Sequence, residues 1–79
     1  MRTSDYILEY LDECRKAKKY VRNKDISDFI HNKYKISKAN IQLNLTRLKN
    51  HGLIDKTNTF ENRNIFYYFL KEKGDETNE

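Results

Sequence analysis

One segment, residues 37–54, has both ends of a helix marked in its sequence, and it constrains the fold of everything around it. Ser37 is a favoured N-cap residue, and Gly52 stands where helices commonly end in a left-handed residue. The apolar residues between them recur at helical spacing, which predicts one buried face: Ile41, Leu45 and Leu48. The segment is therefore predicted to be an amphipathic helix, residues 38–50, with a polar outer face.

The same segment lies in a stretch without acidic residues. No Asp or Glu stands between Asp28 and Asp55, although 35% of the chain is charged. The basic residues in this stretch are Lys33, Lys35, Lys38, Arg47 and Lys49, with His31 and His51 as further potential cations. A helix cleared of carboxylates is typical of a surface that contacts a polyanion.

The charge of the whole chain is unevenly distributed. Residues 1–71 contain 15 basic and 8 acidic residues, a net charge of +7, whereas residues 72–79 contain four acids and one base. We therefore predict a single basic domain, residues 1–74, followed by an acidic flexible tail, residues 75–79.

Signals elsewhere predict a helix, a short strand and a helix before this segment, and two strands after it. Ser4 is the expected cap of the first helix, which runs to about Lys18, and residues 20–22 are β-prone. Asn23 is the expected cap of the second helix, which should end near Lys33. Residues 53–57 and 65–71 have strand character, with a polar turn between them. The fold class is α+β.

Two strings within this order carry a family resemblance. Leu45 to Ile54, LTRLKNHGLI, resembles the end of a recognition helix running into the first strand of a wing. Tyr68 to Gly74, YFLKEKG, resembles the Y-x-L-T-x-x-G segment that closes a wing, with Lys71 in place of the Thr. Over about residues 5–74 the chain thus resembles the winged helix-turn-helix domains of MarR-like and PadR-like prokaryotic transcription regulators.

The resemblance implies three helices with a small antiparallel sheet, and a role as a transcription regulator, most simply a repressor that occludes a promoter. Small regulators of this kind occur in archaea, phages and archaeal viruses or plasmids. MarR-like and PadR-like proteins continue into a long dimerisation helix, whereas only five residues follow Gly74 here. A homodimer would therefore be expected to use another surface.

The predicted helix has a face suited to the DNA major groove, because one helix fits there and its N-terminal half contacts base edges. Viewed down its axis, four candidate base-reading residues lie nearly opposite the core: Ala39, Gln42, Leu43 and Thr46. Lys38, the fifth candidate, flanks the N-terminal end. Candidate phosphate contacts surround them: Lys35, Ser37, Arg47 and Lys49. In winged domains the turn between the last strands, here residues 58–64, often reaches the minor groove. Its candidates are Asn62, Arg63 and Asn64.

The last strand is apolar on both faces, which leaves a second kind of surface. If Phe66, Tyr68 and Leu70 face the helices, then Ile65, Tyr67 and Phe69 line the open side of the sheet. Either other parts of the chain cover these residues, or they form a partner or homodimer interface. Alternative functions are therefore a protein–protein adaptor using this face, or a replication or RNA-binding module using the basic helix.

Other function classes receive little support from the sequence. We find no phosphate-binding glycine loop and no nucleophile–base pair, so no enzymatic activity is expected. His31 and His51 lack partners at ligand spacing, and no metal, cofactor or small-molecule ligand is evident. The single Cys14 lies on an apolar stripe, and no apolar run is long enough to span a membrane. A cytoplasmic protein is expected, in the host cytoplasm if a virus or plasmid encodes it.

Overall fold

The structure, a computed structural model, describes residues 2–58 and 65–71. The elements follow one another in the predicted order: α1 (Thr3–Lys16), β1 (Val21–Arg22), α2 (Asn23–Tyr34), α3 (Lys38–Asn50), β2 (Ile54–Asn58) and β3 (Phe66–Leu70). The strands form one antiparallel sheet in the order β1-β3-β2. The predicted α+β fold class is therefore confirmed.

Both predicted ends of α3 are confirmed. The Ser37 hydroxyl accepts a hydrogen bond from the backbone N–H of Asn40 at 3.2 Å, which satisfies a helix N–H that would otherwise lack a partner. Gly52 has a positive φ of 77°. Its N–H donates to the carbonyl of Lys49, and that of Leu53 donates to the carbonyl of Leu48, each at 3.0 Å.

The first two helices begin earlier than predicted, and in each an aspartate in the first turn accepts a hydrogen bond from the backbone N–H of the residue before the helix. Asp5 accepts a hydrogen bond from the backbone N–H of Arg2 at 3.0 Å, and α1 starts at Thr3 rather than after Ser4. Asp25 accepts in the same way from Arg22 at 3.0 Å, and Asn23 lies inside α2 instead of capping it.

Each of these two helices is followed by a lysine with a positive φ. α1 ends at Lys16, slightly before the predicted Lys18, and Lys18 has a positive φ of 58°. α2 ends at Tyr34, one residue beyond the prediction, and Lys35 follows with a φ of 59°. A positive φ is costly for a side chain other than glycine, although a cation near a helix C-terminus is electrostatically favoured.

The hydrophobic core lies where the three helices meet the inner face of the sheet. Each helix contributes the apolar positions that its periodicity predicts, and β1 and β2 contribute one residue each. The buried apolar residues are Ile7, Leu11, Cys14, Val21, Ile26, Ile30, Ile41, Leu45, Leu48 and Ile54. Two stacked aromatic pairs, with ring centroids 3.8 and 4.1 Å apart, join α1 to α2: Tyr6 with Tyr34, and Tyr10 with Phe29.

The register of the sheet decides which face each residue of β3 presents. Tyr68 pairs with Val21 of β1 and Lys56 of β2. Tyr68 and Leu70 pack against the core, as the alternation predicts. The intervening residues therefore lie on the outer face of the sheet. Among the described residues, no helix is long and apolar enough to cross a membrane.

Candidate nucleic-acid interface

The side of α3 that faces away from the core is exposed and carries no acidic residue. Ala39, Leu43 and Thr46 are all exposed, and Leu43 retains 50% of its accessible surface. These three residues lie opposite the buried stripe of Ile41 and Leu45, as the helical spacing predicts. The side chains at the centre of this outward face are small or apolar. Any positive charge at this surface therefore comes from the residues around them.

Gln42 lies on the flank of α3 rather than at the centre of this face. It is half-buried and exchanges two hydrogen bonds with Asn23 at the start of α2. Asn23 Nδ2 donates to Gln42 Oε1 at 2.9 Å, and Gln42 Nε2 donates to Asn23 Oδ1 at 2.5 Å. Asn23 Nδ2 also donates to the hydroxyl of Tyr68 at 3.3 Å. The amide of Gln42 is thus less available than the sequence predicts.

Lys38 is also held by a partner on α2. Its Nζ lies 3.0 Å from Asp28 Oδ1, while the Nζ of Lys24 lies 3.0 Å from Asp28 Oδ2. Hydrogen bonds from Lys24 and Lys38 lower the pKa of the Asp28 carboxyl, which therefore stays ionised. Two cations share one anion, so the cluster keeps a net positive charge beside the N-terminal half of α3.

A basic depression lies beside Asn23, the partner of Gln42, and no residue of α3 lines it. Its lining combines Arg22 and Lys24 from the start of α2 with Lys56 from β2, and Asn23 lies among them. The lining residues that the structure describes include no Asp or Glu. Arg22 is paired with Asp25 at 3.5 Å, and both side chains remain substantially exposed.

A second basic depression lies on the opposite flank of α3 from Gln42. Arg47 and Asn44 of α3 line it together with Arg2, which precedes α1, and His51, which follows α3. Its described lining also lacks carboxylates. Arg47 lies five positions after Gln42, which places the two side chains about 140° apart around the helix axis. The exposed face of α3 is therefore bordered by positive charge on both sides.

The connection before α3 presents its polar groups to solvent. Lys35 and Ser37 are exposed, and the imidazole Nδ1 of His31 lies 2.8 Å from the carbonyl oxygen of Ile36. The predicted phosphate contact Lys49 is also exposed, on the same side of α3 as Gln42. The structure thus brings all four predicted phosphate contacts to the surface around one helix.

The predicted wing residues Asn62, Arg63 and Asn64 lie outside the described residues. The two strands on either side of this segment are joined by a cation–π contact. The Lys56 ammonium of β2 lies 5.0 Å from the centre of the Phe66 ring of β3. This contact lies beside the first basic depression, which both residues line.

The outer face of the sheet is partly exposed. Phe69 retains 42% of its accessible surface, whereas Ile65 and Tyr67 are half-buried. Tyr67 packs against Tyr20, with ring centroids 5.4 Å apart. Within the described part of the chain, the predicted apolar face of β3 is thus only partly covered.

Several residues of the interface were not predicted as contacts from the sequence. Arg2 and Lys56 each line one of the two depressions. Asp28 and Asn23 hold residues of α3 in place. The sequence shows only that these residues are charged or polar. Whether they lie close to α3 depends on how the helices and the sheet pack.

Comparison with known proteins supports the fold. No protein-family model matches the chain, and no curated protein sequence matches it. The chain is similar in structure to a solved structure of HOP2. That structure is described as revealing the DNA recognition and protein interaction domains of HOP2 and its homologous DNA pairing properties. It superposes with a TM-score of 0.67 at 20% sequence identity, covering 89% of this chain and all of the HOP2 chain. The chain therefore has a winged-helix fold, whereas membership of a prokaryotic regulator family is not shown.

Proposed function

We propose that this chain binds double-stranded DNA by inserting α3 into the major groove. The main support is the arrangement of charge around that helix. The small, acid-free face formed by Ala39, Leu43 and Thr46 has a basic depression beside each flank. A helix in the major groove lies between two phosphate backbones, so positive charge on both flanks matches the charge of a duplex.

The proposed roles follow from the positions of the side chains. Ala39 and Leu43 face outward and would contact thymine methyl groups, while Thr46 would hydrogen-bond to a base edge. Arg47 and Lys49 would bind phosphates on opposite flanks of α3, with Lys35 and the Ser37 end of the helix binding between them. Arg2, Arg22 and Lys56 extend the same contacts.

Two predicted base-reading residues have a restricted role in this proposal. Lys38 would contact a base only after loosening its contact with Asp28, whereas Gln42 would use the N–H and the lone pair that its contact with Asn23 leaves. Among the predicted wing residues, Arg63 remains the candidate for a minor-groove contact because narrow grooves attract arginine.

The proposed biological role is transcription regulation, with repression by promoter occlusion as the simplest mechanism. Sequence-specific binding would support this role, because a regulator must distinguish its operator from other DNA. The similarity to the HOP2 structure favours a second candidate function: a DNA-recognition module in a protein that pairs DNA molecules. An adaptor function through Ile65, Tyr67 and Phe69 is a third candidate, and it requires none of the α3 residues.

The test is a titration of labelled duplexes with the full chain at several salt concentrations. If about five phosphates are neutralised, the logarithm of the association constant should fall with the logarithm of salt concentration with a slope of about −4.5. Arg47→Gln should weaken binding to all duplexes, whereas Lys16→Gln on α1 should not. Absence of binding at low salt, or equal effects of the two variants, would overturn the proposal.

Selection of bound sequences from a random duplex library separates the candidates. Enrichment of one motif, lost on Leu43→Ala or Thr46→Ala, supports a regulator. Binding without any preferred motif favours the DNA-pairing role. Tighter binding to single-stranded DNA or RNA than to the duplex would instead support a replication or RNA-binding role.

A further inference from the structure

An apolar cavity lies between α1 and β3, and no residue of α3 lines it. Its volume is about 310 Å³, near the lower limit for a small-molecule site. Leu11 and Cys14 of α1 form one wall, and Tyr68 and Leu70 of β3 form the other. The cavity lies beyond the start of β1, because Val21, the first residue of β1, pairs with Tyr68 and no residue of β1 pairs with Phe69 or Leu70.

The mouth of this cavity is positively charged. Three cations belong to its lining, Arg15, Lys18 and Lys19, and none of the lining residues within 2–58 and 65–71 is acidic. The guanidinium of Arg15 lies 2.7 Å from Asp12, which also pairs with Lys16 at 3.3 Å, so the charge of Arg15 is partly balanced. Lys18 and Lys19 therefore provide most of the positive charge available at the mouth.

The backbone fixes the positions of these two lysines. After the last turn of α1, the N–H of Lys18 donates to the carbonyl of Arg15 at 3.1 Å, and that of Lys19 donates to the carbonyl of Cys14 at 2.9 Å. This closing turn requires the positive φ of Lys18. It places two consecutive ammonium groups beside an apolar opening.

We propose that this cavity binds a small amphipathic carboxylate of the medium-chain acid type. The alkyl chain would occupy the space between Leu11 and Leu70, where burial of apolar surface stabilises it. The carboxylate would remain at the mouth, within reach of Lys18 and Lys19, where opposite charge and hydrogen-bond donors are available. Nucleic acid fits this site poorly, since phosphate oxygens would be set against apolar walls.

The experiment uses octanoate as the probe, titrated calorimetrically into the full 79-residue chain. Octanamide is a matched neutral control with the same alkyl chain, and octylammonium is a cationic control with the same total number of carbon atoms. We expect saturable one-to-one binding of octanoate, binding of octanamide at least fivefold weaker, and no binding of octylammonium. Equal affinity for octanoate and octanamide would overturn the proposal, as would absence of saturable octanoate binding.

Two variants that remove lysine charges test where the carboxylate binds. The double variant Lys18→Gln, Lys19→Gln should weaken octanoate binding at least fivefold and leave octanamide binding unchanged. Lys16→Gln, on the same helix but outside the cavity, should bind octanoate as the unmodified chain does. Equal losses in the two variants would contradict the assignment of the carboxylate to this mouth.

The reactivity of Cys14 tests independently where octanoate binds. Cys14 is 4% exposed and lines the cavity, so bound octanoate should slow alkylation of its thiol by iodoacetamide. An unchanged alkylation rate at saturating octanoate would place the ligand elsewhere. Because no DNA is present, failure of this experiment leaves the proposed DNA binding intact.

Discussion

Asn23 and Gln42 exchange two side-chain hydrogen bonds, and their pairing joins the start of α2 to the flank of α3. Each carboxamide has two N–H donors and an oxygen with two lone pairs. Gln42 therefore retains one N–H and one lone pair beyond those that Asn23 uses. The pair both orients Gln42 and limits the geometry with which it can contact a base.

Removing either member of this pair should destabilise the fold. Gln42→Ala or Asn23→Ala leaves a half-buried amide without its partner, at a cost of about 1–2 kcal/mol in the free energy of unfolding. The double variant should cost less than the sum of the two, because the interaction is lost only once. Urea denaturation of the four proteins measures this coupling, and simple additivity would show that the pair contributes nothing.

The same two variants test whether Gln42 reads DNA. If it does, Gln42→Ala should relax discrimination at one base pair by about 1–3 kcal/mol, the usual value of a bidentate contact. Asn23→Ala keeps the Gln42 side chain and should retain that discrimination. Duplexes substituted at single positions provide the measurement, and an equal loss in both variants would mean that Gln42 only positions α3.

Asp28 should restrain DNA binding, because it holds Lys38 and places a negative charge beside α3. Asp28→Asn should increase duplex affinity at low salt by about threefold, as expected when a charge several ångströms from a phosphate is removed. Asp12 is a matched control, since it also accepts from two cations and its pKa is also lowered, by Lys16 and Arg15. Asp12→Asn should leave affinity unchanged, and a similar gain in both variants would indicate only a general charge effect.

Glycine should stabilise the chain at both lysines of positive φ. Relief of the left-handed conformation is worth about 1–2 kcal/mol, and the added freedom of the unfolded chain offsets about 0.4–1 kcal/mol of that. Lys18→Gly and Lys35→Gly should thus each raise the free energy of unfolding modestly in urea denaturation. Their effects on DNA should differ: Lys35→Gly loses a proposed phosphate contact, whereas Lys18→Gly does not. Equal DNA affinity in the two variants would remove Lys35 from the interface.

Tyr10 should make stability sensitive to alkaline pH. Burial, followed by its contact with Cys14, raises the pKa of Tyr10 from 10.0 to about 12. The folded state therefore holds the phenol proton more tightly, so the stabilisation is complete below pH 10 and lost as pH rises towards 12. Tyr10→Phe should show a smaller decline in the free energy of unfolding across this range. The exposed Tyr20 provides the control substitution, Tyr20→Phe, which should decline as the unmodified chain does.

The order of the elements was predictable because their signals are local. Ser37 and Gly52 act within one turn of α3, so the sequence located both ends. The starts of α1 and α2 were less predictable. Asp5 and Asp25 accept hydrogen bonds from the backbone N–H groups of Arg2 and Arg22, and each helix begins earlier in the sequence than its expected cap. Such contacts span only three residues, but they compete with other plausible caps nearby.

The interface was only partly predictable, because periodicity identifies the faces of a helix but not its neighbours. The exposure of Ala39, Leu43 and Thr46 follows from spacing alone. The contact of Gln42 with Asn23 joins residues 19 positions apart and depends on how α2 crosses α3. The acid-free stretch likewise gave no sign that Asp28, the residue at its edge, would lie against Lys38.

Tyr68 occupies a position shared by two otherwise separate surfaces. Its ring lines the apolar cavity beside α1, and its hydroxyl accepts a hydrogen bond from Asn23, the partner of Gln42. One aromatic side chain thus forms a continuous path of contacts from that cavity to the flank of α3. Substitution of Tyr68 will consequently disturb both surfaces together, so it is the mutation least able to assign a separate role to either.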